Sequence, residues 1–381
     1  MNREKKTIKF ASGLLTASLM LSIAFSGCGN NPSVSSGGAP ASKTGSAVES
    51  TAASSEKPDV IRVGTAFTAG NSNKASLMTF GVLYEHHLLE EEFEKDGIKI
   101  EWNFFKGVSP AVNEAFASNT IDFAATSDLG AIVGKSNGLN IKLIASQSRG
   151  GESYLGVPAK STATKIEDLA GKKLATTNGT TFQVTLARIL AKRNLTIKDF
   201  EFFNLAPADG VAALVSGNID AAVYGGPGQL FPPRDKGQVK ILYTTADDPE
   251  FKADEKPQTS VFVADSFLEK YPDITERFLK AYLKAAQWIS KEENQEDYYV
   301  IASHTGQSVD GLREGAKGTD PSYIYSPLID DSVVNYYSGT ISLMKDLGLI
   351  KNAFDAKDLI VEEPLKKVLE ETKLQDNWKK Y

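Results

Sequence analysis

The chain has 381 residues, 41% of them hydrophobic and 24% charged, and its formal net charge is −6. This length is enough for two domains with cores of their own, and the acidic balance argues against nucleic acid as a partner. Because Cys28 is the only cysteine, an internal disulfide is excluded.

The first 27 residues predict an export signal. Basic residues open the chain, and an apolar run follows from Ala11 to Phe25. This run is shorter than the roughly 20 residues that span a bilayer, but its length fits a secretory signal. The signal ends in "FSGC", which resembles the lipobox of bacterial lipoproteins. That resemblance implies that Cys28 is acylated with fatty-acid chains such as palmitate; an ordinary signal followed by an unused cysteine is the alternative.

A flexible tether is predicted for residues 28–59, because Ser, Gly, Ala, Asn and Pro dominate this segment. From Val60 onward, short apolar strands alternate with segments of helical spacing, which predicts a largely parallel sheet and an α/β fold. One helical segment is predicted over 74–95, and helices dominate after Tyr271. The predicted strands are VIRVGTAF, IKIEWNFF, IDFAAT, LNIKLIASQ, GKKLATT, FEFFNL, IDAAVYG, VKILYTT and TSVFVADSF.

The chain contains an internal echo. Residues 115–125 and 213–223 align without gaps at an offset of 98, and Phe105 and Phe203 keep the same offset. A spacing this long is too great for a solenoid repeat and indicates two lobes of similar construction. A chance similarity of one helix–turn–strand unit is the alternative.

The sequence offers little that catalysis could use. It has no phosphate-loop signature ending in Gly-Lys-Ser/Thr, no zinc-protease helix and no spare cysteine nucleophile. His86 with Glu90, or His87 with Glu91, has a metal-like spacing, but a charged and solvated helix end is the favoured explanation, because no other Cys or His lies near to complete a metal site. We therefore predict a binding protein, not an enzyme, with no cofactor and no metal.

Five predicted strand ends carry small or hydroxylated residues just before a helix. In an open α/β sheet such ends line the ligand crevice, where helix N-termini supply N–H donors. Ordinary helix capping is the alternative for any single end. The five segments are GTAFTAGNSNKAS, FFKGVSPAV, AATSDLG, TTNGTTF and VYGGPGQL.

The segment "ATTNGTTFQ" is compatible with a hairpin or with a helix start. Asn178-Gly179 is typical of a two-residue hairpin turn. The helical spacing that follows instead favours a turn that opens a helix and directs the N–H groups of Thr180 and Thr181 into a cleft. Arg149, in a glycine-bearing loop, is either a partner for an anionic ligand or a surface arginine near a crossover.

The chain resembles the periplasmic substrate-binding proteins of ABC importers, in the branch that includes aliphatic-sulfonate, taurine and nitrate binding proteins. The resemblance spans about residues 60–360 and implies a type II periplasmic-binding-protein fold, in which two lobes, each a mainly parallel sheet flanked by helices, are joined by two crossings. Lobe 1 would comprise 60–156 and 259–381, and lobe 2 would comprise 157–258. The segments that carry the resemblance are IRVGTAF, NEAFASNTIDFAATSDLG, IEDLAGKKLATTNGTTFQVTLARILAKRNL, PADGVAALVSGNIDAAVYGGP and YSPLIDDSVVNYYSGTISLMKDLGLI.

The resemblance also implies a ligand cleft between the lobes. Where sulfonate binders often carry a Trp-Asp-Pro-like motif, this chain has Tyr224-Gly225-Gly226-Pro227, which opens room for a bulkier ligand. With Arg149 added from the loop argument, the predicted ligand-binding residues are Phe67, Thr68, Asn71, Thr126, Ser127, Asp128, Arg149, Asn178, Gly179, Thr180, Thr181 and Tyr224.

The expected function is that of a monomeric solute receptor, anchored by lipid at the outer face of the cell membrane. It would bind a small anionic or polar solute and deliver it to an ABC permease. An aliphatic sulfonate is the first choice of solute, followed by nitrate, taurine or a pyrimidine. The alternatives are an enzyme on the same fold, such as a pyrimidine-forming or decarboxylating relative, and the effector domain of a transcription regulator, against which the export signal argues.

Overall fold

The computed structural model describes residues 57–67, 74–106 and 109–380, and these lie in one compact unit, 55–381. The predicted signal, the predicted tether up to residue 56, the predicted acylation site Cys28 and the predicted cleft residues Thr68 and Asn71 lie outside the described residues. No helix in the described part is long and apolar enough to cross a membrane.

The described strands form two sheets of five strands each. The first sheet has the order β2-β1-β3-β10-β4, and the second has the order β7-β6-β8-β5-β9. Within each sheet four strands run in the same direction, and one strand, β10 in the first sheet and β5 in the second, runs antiparallel between two of them. The strands are β1 Val60–Phe67, β2 Lys99–Lys106, β3 Phe123–Ser127, β4 Ile141–Ser148, β5 Tyr154–Pro158, β6 Lys173–Thr176, β7 Glu201–Asn204, β8 Ala221–Tyr224, β9 Val239–Thr244 and β10 Thr259–Ala264.

The two sheets repeat one construction, as the internal echo predicts. The turn before β3 has Asn119 at φ 54°, and the turn before β8 has Gly217 at φ 75°, both in the left-handed region. Three residues later in the alignment, Asp122 and Asp220 each accept a hydrogen bond from a backbone N–H near the start of the neighbouring strand, at 2.8 and 2.9 Å. The echo is therefore a repeated helix–turn–strand unit in the middle of each sheet.

Fourteen described helices flank the sheets. The helix predicted over 74–95 is divided, because His87 lies in the left-handed region at φ 51° and separates α1 from α2. The helices are α1 Met78–Glu85, α2 Leu88–Phe93, α3 Pro110–Ala117, α4 Asp128–Ser136, α5 Thr181–Ala191, α6 Pro207–Ser216, α7 Phe231–Asp235, α8 Asp265–Lys270, α9 Pro272–Ile289, α10 Gln295–Ser303, α11 Val309–Gly315, α12 Pro321–Ile324, α13 Asp331–Asp346 and α14 Glu363–Thr372.

Each lobe has its own hydrophobic core. In the first lobe, one cluster of buried side chains joins the sheet to the C-terminal helices, and Phe278 of α9 stacks on Phe123 of β3 at 4.0 Å between ring centroids. In the second lobe, successive residues of β8 enter two clusters on opposite faces of the sheet, because side chains alternate along a strand. The C-terminal helices thus complete the first lobe rather than forming a separate body.

Two crossings connect the lobes, one between β4 and β5 and the other between β9 and β10. They lie side by side: the N–H of Gly151 donates to the carbonyl of Pro257 at 3.0 Å, and Lys256 pairs with Glu152 at 2.6 Å. Thr245 also donates to the Glu152 carboxylate. Strand β5, which pairs with β8 and β9, spans the predicted lobe boundary between residues 156 and 157.

Candidate functional site

The candidate site lies where the carboxyl ends of the parallel strands of one sheet face those of the other. In lobe 1, β3 ends at Ser127 directly before α4, and in lobe 2, β6 ends at Thr176 before the turn into α5. A hydrogen bond of 2.8 Å from Thr181 Oγ1 to Asp128 Oδ1 joins the two edges. Helix N-termini from both lobes therefore meet at this place, and such ends favour anions and hydrogen-bond acceptors.

On the lobe 1 side, three hydroxyl groups form a chain. Thr126 Oγ1 donates to Ser109 Oγ at 3.0 Å, and Ser109 Oγ lies 2.8 Å from Ser127 Oγ. Ser127 caps α4 by accepting from the N–H of Gly130 at 3.4 Å. Ser109 is the N-cap residue of α3, but its hydroxyl makes no cap hydrogen bond because it is turned toward the β3 residues instead.

Asp128 is the first residue of α4, and its side chain is 1% exposed. Its carboxylate accepts hydrogen bonds from the backbone N–H of Leu129, the hydroxyl of Thr181 and the phenol of Tyr336. Burial raises the pKa of this carboxyl above its ordinary value, while the three donors and the charge of Arg188 act in the opposite direction. The group is thus a buried carboxyl that accepts hydrogen bonds from both lobes.

On the lobe 2 side, the Asn-Gly turn opens a helix and not a hairpin. Gly179 adopts φ 69°, where a glycine carries no steric cost, and α5 begins two residues later. The N–H of Asn178 donates to Asn204 Oδ1, and that of Gly179 donates to Gln183 Oε1, both at 2.8 Å. Among the residues that the structure describes, none accepts a hydrogen bond from the N–H of Thr180 or Thr181, so these two donors are available to a ligand.

Two predicted site residues lie in the protein interior. Arg149 is 1% exposed, pairs with Asp330 at 2.7 Å and donates to the carbonyl of Leu328. Tyr224 is fully buried in lobe 2, and its hydroxyl donates to the carbonyl of Leu205 at 3.0 Å. Burial raises the pKa of Tyr224 to about 12. Both side chains therefore bond to other parts of the fold, and neither belongs to the proposed cleft.

Phe67 ends β1 in the first sheet, at the same edge as Ser127. The described part of the chain contains no group of His, Cys, Asp and Glu residues that could hold a metal ion. His86 instead packs against the ring of Trp288 at 4.7 Å between centroids.

A second polar group at the lobe 1 edge was not predicted from the sequence. Thr259, which pairs with Ser127 across β10 and β3, donates to the sulfur of Met78 at 3.3 Å, and Gln147 Nε2 donates to the same sulfur at 3.4 Å. The Oε1 atom of Gln147 is buried and has no partner among the described residues. No local motif links these residues, because the fold brings them together from positions far apart in the chain.

Two matching lobes with facing strand ends define the architecture of a two-lobed solute-binding protein. The family model described as NMT1/THI5 like matches residues 93–296, and the chain belongs to this family.

Three of the similar proteins have names that describe them as binding proteins. One from Bacillus subtilis (strain 168), provisionally named an aliphatic sulfonates-binding protein, is 27% identical over 303 residues, which cover 78% of this chain and 86% of that protein. The taurine-binding periplasmic protein of Escherichia coli (strain K12) is 25% identical over 233 residues, covering 58% and 70%. A similar crystal structure comes from Methylobacillus flagellatus KT and is provisionally named the periplasmic sulfonate-binding protein of a sulfonate ABC transporter. Its sequence is 29% identical to this chain, and the two structures superpose with a TM-score of 0.76. The match covers 84% of this chain and 97% of that protein. The predicted resemblance and the two-lobed α/β fold are confirmed, and these names agree with the prediction of a binding protein rather than an enzyme.

Proposed function

We propose that this protein is the extracytoplasmic solute-binding component of an ABC importer, and that it binds a small sulfonate in the cleft between its lobes and delivers it to a permease. The proposal rests on the backbone N–H groups of Thr180 and Thr181 at the start of α5, directly opposite the start of α4. Neither N–H group has a hydrogen-bond acceptor among the described residues. These two N–H groups and the positive end of α5 suit the oxygens of a sulfonate, which only accept hydrogen bonds. The names of the relatives favour this solute class over nitrate and pyrimidines.

The proposed cleft residues are those that the structure places at the facing edges. Ser127 presents a hydroxyl group there, and Thr180 and Thr181 present backbone donors, while the hydroxyls of Thr126 and Thr181 donate to Ser109 and Asp128. Asn178 and Gly179 shape the turn before α5, and Asp128 is proposed as a residue of the contact between the lobes. The family resemblance alone supports the proposed roles of Phe67, Thr68 and Asn71. The solute needs no chemistry from the protein, because hydrogen bonding in a closed and dry cleft is enough for capture.

A thermal-shift screen tests the proposal. Ethanesulfonate, taurine, nitrate and a pyrimidine are added separately to the purified protein. A bound solute at about 100 times its Kd stabilises the folded state by about 2.7 kcal/mol, so the melting temperature should rise by several degrees with an alkanesulfonate. Unchanged melting with all four solutes would contradict the proposal.

The membrane anchor is a separate part of the proposal and rests on the lipobox-like "FSGC" at Cys28. A diacylglycerol on this thiol and an N-linked acyl chain on the α-amino group of the same residue would give durable anchoring, since each buried methylene contributes about 0.8 kcal/mol. Labelling cells with a fatty acid should mark the wild-type protein and not the Cys28→Ala variant. Equal labelling of the two would exclude the anchor.

A further inference from the structure

Helix α5 belongs to lobe 2, yet one of its faces is turned toward lobe 1. Thr181, Val184, Thr185 and Arg188 follow one another at intervals of three, one and three residues and therefore share a face of the helix. Val184 is 1% exposed and belongs to the hydrophobic cluster of the first lobe. This face is a contact between the lobes that no local sequence motif indicates.

The contact is polar at both ends. At its N-terminal end Thr181 Oγ1 donates to Asp128 Oδ1 at 2.8 Å. At its C-terminal end Arg188 Nη2 donates to Thr340 Oγ1 of α13 at 2.7 Å. Tyr336, one turn before Thr340 on α13, connects the two ends, because its phenol donates to Asp128 and its ring lies 5.0 Å from the Arg188 guanidinium carbon.

The same helix is also tied to the second crossing. Arg188 Nη1 donates to the carbonyl of Glu255 at 2.7 Å, and Lys192 pairs with the Glu255 carboxylate at 2.9 Å. The C-terminal half of α5 is therefore held next to the crossings. A rotation of one lobe against the other about these crossings leaves the distance between the lobes almost unchanged there. The bond between Thr181 and Asp128 lies at the other end of the helix, about 10 Å away along its axis at 1.5 Å per residue.

We propose that the hydrogen bond from Thr181 to Asp128 is a latch that holds the two lobes in contact. Rotation of lobe 2 about the crossings moves the start of α5 further than its end, so this bond breaks first when the lobes separate. The acceptor is a buried carboxylate, and hydrogen bonds to charged acceptors contribute more than neutral ones. The proposal concerns the movement of the lobes and stands whichever solute the cleft takes, so it goes beyond the proposed function.

Thr181 also begins the helix that we propose to hold the solute. A solute that bonds the N–H groups of this turn binds next to the latch, and the closed arrangement brings both helix N-termini to it. Latch and site are therefore coupled through one residue, with Asp128 acting as a positioning residue that does not itself touch the solute.

The distance between the lobes in the solute-free protein tests the latch. Cys28→Ser removes the only native cysteine from the full chain. Spin labels at Glu101→Cys in β2 and Ser216→Cys in α6, both exposed positions, then report the separation of lobe 1 from lobe 2. The measurement needs no ligand, so its outcome is independent of whether a sulfonate is the solute.

Three substitutions are compared in this background. Thr181→Val removes the hydroxyl and should raise the ratio of separated to contacting lobes about tenfold, as expected for the loss of one hydrogen bond to a charged acceptor. Thr181→Ser keeps a hydroxyl and should restore the wild-type distances. Thr180→Val is the matched control, because the Thr180 hydroxyl bonds the carbonyl of Thr177 within its own lobe, at 2.7 Å.

Thr181→Ala serves as a second hydroxyl-free variant should the valine impair folding, which circular dichroism monitors. Longer distances with Thr181→Val or Thr181→Ala, and with neither Thr181→Ser nor Thr180→Val, support the latch. Wild-type distances in the folded hydroxyl-free variants would overturn it, as would an equal shift with Thr180→Val.

Discussion

Three parts of the chain donate hydrogen bonds to the buried carboxyl of Asp128. Its own helix supplies a backbone donor, α5 supplies a hydroxyl, and α13 supplies a phenol. Burial nevertheless dominates and raises the pKa of the carboxyl above its ordinary value of 3.8. The charged or titratable groups around it are Arg188, Tyr336 and Tyr337, and burial raises the pKa values of both phenols, so these keep their protons in acid and at neutral pH.

The raised pKa predicts how stability depends on pH. The folded protein holds the Asp128 proton to a higher pH than the unfolded chain, so the stability that this group contributes is complete below pH 3.8 and is lost as the pH rises through the folded-state pKa. Asp128→Asn keeps the shape and does not titrate. The free energy of unfolding of Asp128→Asn minus that of the wild type, measured with urea from about pH 3.5 to about pH 7, should therefore increase with pH.

If this difference in the free energy of unfolding stays constant or decreases from about pH 3.5 to about pH 7, the pKa of Asp128 is not raised by folding. Glu296→Gln is a suitable control, because an ion pair with Arg313 lowers the pKa of that exposed carboxyl. The free energy of unfolding of Glu296→Gln minus that of the wild type should therefore decrease as the pH rises.

The chemical type of a site residue was easier to predict than its surroundings. Asn178, Gly179 and Thr181 were placed correctly at a helix start, because turn geometry and helical spacing are local properties. Arg149 and Tyr224 were assigned to the cleft, but the structure buries both with partners from distant segments. Burial of a polar side chain depends on which segments the fold brings next to it, and a single sequence does not contain that information.

At the scale of the elements, alternation of short strands and helices was enough to locate all nine predicted strands. β5, which completes the second sheet, was not among them, because Tyr154–Pro158 is short and contains a glycine and a proline. The division of the first helical segment at His87 was also missed, because a left-handed histidine leaves no mark on apolar periodicity.

Helix α6 packs closely enough on the second sheet to give a stability prediction. A Cβ atom at Gly210 would lie 1.9 Å from the hydroxyl oxygen of Tyr224, which is fully buried. Gly210→Ala should therefore destabilise the protein by about 2 kcal/mol or more, since the ring has no space into which to move.

Gly339 provides the matched control, because it also lies inside a helix and a Cβ atom there would meet nothing within 4 Å. Gly339→Ala should stabilise the protein by about 0.5–1 kcal/mol, as expected for an exposed helix position. Urea unfolding of both variants measures the two effects. Similar stability changes for Gly210→Ala and Gly339→Ala would contradict the packing of Tyr224 beneath α6.

At the scale of the whole molecule, the internal echo was the most informative feature of the sequence. The offset of 98 residues predicted two lobes of similar construction, and the two sheets have matching strand orders with an aspartate at the same position in each. The polar face of α5 that joins the lobes could not be predicted, because Thr181, Val184 and Arg188 are equally typical of a helix that packs only on its own sheet.

The proposed site takes its residues from both lobes. Thr126 and Ser127 come from lobe 1, the N–H groups of Thr180 and Thr181 come from lobe 2, and the crossings bring the two sets together. A solute that bridges the lobes therefore favours their contact, which is how a binding protein presents a loaded surface to its transporter.

Calorimetric titration of ethanesulfonate tests the central claim, that α5 binds the solute through its backbone N–H groups. Thr181→Pro and Thr181→Val both lose the hydroxyl, but only proline loses the N–H donor; proline suits the first helical position, and Thr180 before it is already extended. We expect one solute per wild-type protein and an affinity of Thr181→Pro about tenfold or more below that of Thr181→Val. Equal affinities of the two variants, or no binding heat with the wild type, would contradict the claim.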